Sequence, residues 1–362
     1  WDTQEHTCVL VRDLFGIKPL YYYEADGRLL FASEVRALLA SGLVPLRRDP
    51  TAVAGFFRNG SVPEPLTLVQ GVRLLEAGHM VCWKDGVSSI RAHGEVRFPA
   101  PDEVNPEDAV REVREALIDS IDHHFVSDVP VGIFLSGGID STLLLALASR
   151  QQHADIRTFS IRFGEQGFDE GELARRTAFH FGSRHHEWKV NAETGRALFA
   201  DFLTRMDRPT IDGLNTFVVS KFAHDHGMKV VLSGVGGDEM FGGYPSFAEV
   251  PRMVRARRPG RRMLEELSGS ALEGWAPKPA WQRLGQFLQG DGTVQSAYQA
   301  YRGIFLAAEA RARGLDEAVD MLPYDPEGFA PIVHAWRARL AATEGRAKEA
   351  SADLERALEL GG

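Results

Sequence analysis

The chain has 362 residues, 44% of them hydrophobic and 25% charged, with a formal net charge of −9 and a pI of about 5.8. This is ordinary globular usage; the length suggests two domains, and the acidic balance disfavours nucleic acid or an anionic membrane as partner. Cys8 and Cys82 form neither a C-x-x-C pair nor a metal-ligand spacing, no apolar run reaches bilayer length and no signal peptide opens the chain, so the expectation is a cytoplasmic protein.

The sequence opens WDTQEHTCVLVRD, without Met, and TCVLV already reads as a half-buried strand. Residue 1 is therefore expected to fall inside a domain that has lost its N-terminal part. Up to about residue 90 the runs are short and β-rich: TCVLV, LYYYE, RLLFAS and later GHMVCWKDG, separated by turn signals such as EADGR and KDG. LYYYEADGRLLFA predicts a hairpin. Two short helices are expected, SEVRALLAS and TAVAGFFRNG, the second ending at Gly60. Residues 91 to 106, RAHGEVRFPAPDEVNP, hold three prolines without a clear period and read as a linker.

Beyond the linker the texture changes. Asn105 can cap a helix with Pro106 at its first position, and Val110, Val113, Leu117 and Ile121 recur at helical spacing. VPVGIFL then reads as strand, STLLLALASR as helix, RTFSIRF as strand, DEGELARRTAFHFG as a helix ending at Gly182 and RHHEWKV as strand. A helix within AETGRALFADFLTRM, another in NTFVVSKFAHDHG ending at Gly227, and the strand MKVVLS continue the alternation. Such alternation predicts a parallel sheet covered on both faces. Sheets of that kind bind ligands beyond the carboxyl ends of their strands.

At one such end lies SGGIDS (136–141), which opens a helix. Glycines let backbone N–H groups approach an anion, the helix N-terminus adds its positive end, and the two serine hydroxyls can donate further bonds. Asp140 would repel a phosphate unless Mg2+ sits between them. The plain alternative is a tight turn with Ser and Asp as helix caps; a Walker A loop is ruled out, since its pattern and lysine are absent. KVVLSGVGGDEMFGGYPSF (229–247) repeats the design, again running from apolar strand to glycines to an acidic residue, Asp238. Two such loops at neighbouring strand ends would place Asp140 and Asp238 on opposite sides of one metal–phosphate cluster.

SGGIDS resembles the pyrophosphate loop of the N-type ATP pyrophosphatases, and VVLSGVGGDEMFGGY resembles the matching loop of the glutamine-dependent asparagine synthetases. RDLFGIKPLYYY with LLFASEVRALL resembles the end of that family's glutaminase domain, and TFSIRFGEQGFDE with HHEWKV the segment after its ATP loop. The resemblance runs from residue 1 to about 310. It implies that Ser136, Gly137, Gly138, Asp140 and Ser141 hold the pyrophosphate portion of ATP. Leu135 and Ile161 would contact the adenosine largely through backbone, Ser233 and Gly234 would line the same site, and Asp140 and Asp238 would share Mg2+. It further implies activation of a carboxylate as an acyl-adenylate, release of pyrophosphate, and attack by ammonia drawn from glutamine through an internal tunnel.

Three departures accompany the resemblance. The family's nucleophilic cysteine precedes the point where this chain starts, and Cys8, inside a strand, is no substitute. Val235 stands where the family places a glutamate. The family's later catalytic lysine has no visible counterpart. The tail AWRARLAATEGRAKEASADLERALELGG resembles one tetratricopeptide-like helix pair, with small Gly345, Ala350 and Ala357, although a plain amphipathic pair fits equally well.

Other candidates read more simply. RARRPGRR (255–262) is a solvated helix end. His185, His186 and Glu187 are structural, because neighbours on a strand point to opposite faces. His123 and His124 suit a helix C-terminus, and Tyr21, Tyr22 and Tyr23 are hairpin packing.

The expected architecture is α/β: a parallel, doubly wound, adenine-nucleotide α-hydrolase-like sheet (106–315). It is preceded by the remnant of an α+β N-terminal nucleophile-type glutaminase domain (1–95) and followed by a helical tail (316–362). The expected substrates are ATP, a carboxylate acceptor, and ammonia or glutamine. A homodimer and a protein contact through the tail are left open, as are two rivals: an amidotransferase acting on a glycan or peptide, and a non-catalytic nucleotide-binding scaffold.

Overall fold

A computed structural model describes residues 1–96, 105–151, 155–163, 171–256, 283–285, 287–288 and 292–303. The elements of the first part are β1 (Cys8–Val11), β2 (Tyr21–Ala25), β3 (Arg28–Ala32), α1 (Val35–Ala40), α2 (Pro50–Asn59), β4 (Arg73–Leu74), β5 (His79–Lys84) and β6 (Val87–Ala92). There follow α3 (Pro106–His124), β7 (Val131–Phe134), α4 (Ile139–Arg150), β8 (Arg157–Phe163), α5 (Gly171–His180) and β9 (Arg184–Val190). Next come α6 (Ala192–Arg205), α7 (Leu214–Asp225), β10 (Val230–Leu232), α8 (Gly237–Phe241), α9 (Ser246–Ala256) and α10 (Val294–Arg302). The chain divides into two compact units, one of Trp1–Phe98, Arg205–Ile211 and Glu249–Gly362, the other of Pro99–Thr204 and Asp212–Ala248. The resembled tail lies outside the described residues.

The first unit holds two small antiparallel sheets, ordered β1-β5-β6 and β3-β2-β4. Both hairpins turn on Asp-Gly with both residues at positive φ: 52° and 67° at Asp26-Gly27, 53° and 84° at Asp85-Gly86. That is the turn whose twist matches paired strands. The expected β2–β3 hairpin is therefore present. The expected linker at 91–106 needs correction at its start, because β6 pairs with β5 as far as Ala92. Helix α2 forms as anticipated, with Asp49 accepting from Ala52 N at 3.1 Å, Pro50 in the first turn and Gly60 closing it. Tyr21 and Tyr22 are buried with Val35, Leu38, Leu74 and Val81.

Arg12 is the one buried charge of this unit's described core, 5% exposed. It donates to the carbonyls of Leu75 (2.6 Å), Gly16 (2.7 Å) and Lys18 (3.1 Å) and to Glu64 Oε2 (3.2 Å). The segment 205–211 closes over the same region. Arg208 donates to Glu64 Oε1 (3.0 Å) and Val62 O (2.6 Å), and Asp207 accepts from Val35 N (3.0 Å) and Arg36 Nε (2.9 Å). Ile211 N donates to Gly60 O at 2.9 Å.

The second unit is a four-stranded, wholly parallel sheet in the order β10-β7-β8-β9. One face packs on α3, α4 and α5 through Ile121, Leu145, Ala148, Ala174 and Ala178. The other packs on α6 and α7 through Leu198, Val218, Phe222 and Ala223. Phe159 and Ile133 are fully buried at its centre. Gly132 is tightly packed there: a Cβ would stand 3.1 Å from both Met228 Cε and Phe159 Cε2, which would have to give by a few tenths of an ångström. Helix α3 starts as expected, with Asn105 accepting from Glu107 N at 3.0 Å.

Candidate functional site at the carboxyl ends of β7 and β10

In this sheet the first strand, β7, lies between the last, β10, and the second, β8. Chain order thus reverses between β7 and β10, and the crevice beyond that reversal is where open α/β sheets take ligands. The SGGIDS loop leaves β7 there, and the SGVGGDE loop leaves β10.

The first loop is built by its serines. Ser141 is buried; its Oγ accepts from Ser136 N (3.1 Å), bonds Ser136 Oγ (2.9 Å) and reaches Gly138 O (3.2 Å). Gly138 N donates to Ser136 Oγ at 3.1 Å. Both hydroxyls thus also hydrogen-bond within the loop itself. Helix α4 has Gly138 as its N-cap, a residue with no side chain to cap the first turn, and the positive end of a helix suits an anion.

Asp140 meets the second loop. A Cβ on Gly234 would lie 3.0 Å from Asp140 Cβ and 3.0 Å from Ser141 N, and a Cβ on Gly237 would collide with the Asp140 carboxylate. The glycines of the second loop are therefore the space that Asp140 occupies, a role the sequence reading missed because it depends on pairing two distant strands. Asp238 follows at the start of α8, exposed, with Gly243 close against it. Neither Asp140 nor Asp238 has a cationic partner among the described residues. Ser233 Oγ accepts from Val235 N at 3.3 Å, and Val235 itself is 84% exposed.

Leu135 is buried and its N donates to Phe159 O at 2.9 Å, so only its backbone is near the loop surface. Ile161 on β8 packs against the Val190, Leu198 and Val218 cluster. The second loop, Asp140 and Ser141 are thus brought together directly, while Ile161 lies on another strand of the same sheet.

The histidines of β9 are structural. His185 Nδ1 and Nε2 lie 2.9 and 3.2 Å from Thr158 Oγ1 and Ser160 Oγ, and burial holds its pKa below the usual value. His186, on the other face, stacks on Phe159 at 5.1 Å. Glu187 joins Arg162 and Arg175. Cys8 is half-buried in β1 opposite Trp83.

The asparagine synthase family matches residues 112–351 and the glutamine amidotransferase domain matches residues 1–93. "Asparagine synthetase [glutamine-hydrolyzing] 1" of Bacillus subtilis is 35% identical over 252 residues, covering 69% of this chain and 39% of that protein. "Asparagine synthetase [glutamine-hydrolyzing] 3" of the same organism is 28% identical over 297 residues, covering 77% and 47%. "Amidase chyE" of Penicillium rubens is 30% identical over 267 residues, covering 68% and 39%. The chain spans less than half the length of each of these relatives. With more than half of its own residues matched by one family, and its two glycine loops side by side, the chain belongs to the asparagine synthase family.

Proposed function

We propose that this chain carries the nucleotide-binding, amide-forming part of an ATP-dependent amidotransferase. ATP activates a carboxylate as an acyl-adenylate, pyrophosphate leaves, and ammonia forms the amide. The observation that carries this reading is the packing of Asp140 into the second glycine loop at the sheet's reversal point, beside the N-terminus of α4. In this reading Ser136, Gly137, Gly138 and the first turn of α4 bind the pyrophosphate portion. Ser141 holds the loop, Ser233 and Gly234 form the facing wall, and Leu135 and Ile161 offer backbone to the adenosine.

The donor set fits Mg2+, which takes carboxylate oxygens and keeps waters. Asp140 and Asp238 would hold it, and when bound it would neutralise charge on the phosphates. Residues 1–95 are assigned to the glutaminase-derived part, 106–315 to the synthetase part and 316–362 to the tail.

Val235 bears on the acceptor. It does not pack away: it projects from the loop between two glycines. A valine there cannot pair an ammonium group, and an apolar wall disfavours one. The acceptor assigned here is therefore a carboxylate less polar than free aspartate. The test is ATP–pyrophosphate exchange across a panel of carboxylates. Exchange should need Mg2+, fall at least about tenfold in Asp140→Asn through loss of one metal ligand, and favour less polar acids, with Val235→Glu improving aspartate. No ATP binding by calorimetry at millimolar Mg2+ would sink the nucleotide reading. Efficient use of aspartate by the unaltered protein would sink the acceptor assignment alone.

A further inference from the structure

Helices α3 and α4 leave an apolar groove on the second unit that the amidotransferase reading does not use. Its volume is 530 Å3, and its walls are Val110, Val113 and Leu117 of α3, Leu143 and Leu147 of α4, and Phe241 of α8. Val110 is 59% and Phe241 61% exposed. Helix α4 accounts for such a surface. Its run LLLALA is apolar all round, with Leu145 and Ala148 buried toward the sheet. A helix apolar on every side is one that is covered on every side, yet Leu143 remains 38% exposed among the described residues.

Two charged side chains stand in the lining, Arg114 and Arg150. Both are exposed, and neither guanidinium is paired among the described residues. On a chain whose net charge is −9, two unneutralised arginines beside an apolar seam set the sign of what the groove accepts.

We propose that this groove docks an acidic amphipathic helix of a partner polypeptide. The apolar positions Val110, Val113 and Leu117, and Leu143 and Leu147, recur at the three- and four-residue steps of a helix seam, the pattern into which a third helix lays its apolar face. Carboxylates flanking that face meet Arg114 and Arg150, and arginine at the edge of an apolar patch is ordinary interface chemistry. A second copy of this chain does not supply such a helix through α3. Of its acids, Glu112, Glu115 and Asp119 fall on the side of α3 opposite the apolar stripe and Glu107 alone flanks it, so a second copy brings a single carboxylate to the seam through α3.

The test is fluorescence anisotropy of the whole chain with a labelled peptide of about 18 residues, five helical turns, with leucines at helical spacing flanked by glutamates. A version with lysines replacing the glutamates is the control. The acidic peptide should bind in the micromolar range, about tenfold tighter than the basic one. The double substitution Arg114→Glu/Arg150→Glu should invert that preference, an outcome misfolding cannot produce, and Leu143→Gln should weaken both peptides. Equal binding of the two peptides, or a preference that survives charge reversal, would overturn the proposal. So would displacement of the peptide by dodecanoate at lower concentration, which assigns the groove to an alkyl carboxylate. Self-association in sedimentation velocity that Leu143→Gln abolishes would assign it instead to a second copy.

Discussion

Gly237 carries no chemistry, yet it decides where Asp140 sits. Adding one methyl there drives Cβ into the Asp140 carboxylate, the free end of a side chain that can swing away. Gly237→Ala should therefore leave the melting temperature within about 2 °C, as a surface change of under about 0.5 kcal/mol would. Mg-ATP binding should weaken about tenfold or more, because the displaced carboxylate no longer meets the phosphates in register. Calorimetry and a thermal scan on the same sample separate the two effects. Arg12 is the opposite case, a structural charge. Arg12→Ala removes donors from three carbonyls at once and should cost about 2–3 kcal/mol in urea unfolding, with no direct effect on nucleotide binding. The SGGIDS residues were legible because an apolar strand, glycines and a helix start follow one another in sequence. Gly237 and the loop-building role of Ser141 were not, since both depend on which atoms a folded loop brings into contact.

At the scale of elements, what was legible followed burial. Strands β7, β8 and β9 and helices α2 and α3 announce themselves through apolar period or caps. Strand β6 does not: VSSIRA is almost wholly exposed and exists because the Asp85-Gly86 turn folds it onto β5. Helix α9 contains Pro251, which argues against a helix interior, and α8 is a single short turn set by the glycines around it. The β8–β9 pairing also gives a pH dependence. His185 is held neutral by burial, with a folded pKa below that of the unfolded chain. The unfolded state then binds the extra proton first, so this contribution to stability is complete above about pH 6.5 and is lost as pH falls below it. His186 is shifted in the same direction, by burial and by His226 beside it. Unfolding free energy should drop between about pH 7 and 5, and His185→Gln should flatten part of that slope. An unchanged slope would mean that His185 titrates normally.

For the molecule as a whole, alternation of strands and helices foretold a parallel sheet, but strand order is written nowhere in a local pattern. The order β10-β7-β8-β9 emerges only when the last strand returns beside the first. That return puts two loops with similar sequence at one crevice. Mg-ATP at a hundredfold excess over its Kd should add about 2.7 kcal/mol of stability. Hydrogen exchange should show the protection in β7, α4, β10 and α8. The first unit raises a different matter, because one of its pieces, Arg205–Ile211, arrives from far along the chain. A protease or an engineer cutting in the 97–104 region does not free a self-sufficient module. It would instead strip Glu64 and the Val62 carbonyl of Arg208, the Val35 amide of Asp207 and the Gly60 carbonyl of Ile211. A fragment ending at Phe98 should accordingly express poorly or melt early, and adding residues 205–211 through a short artificial connection should recover it. Dissection of this protein has to follow the strap, not the seam.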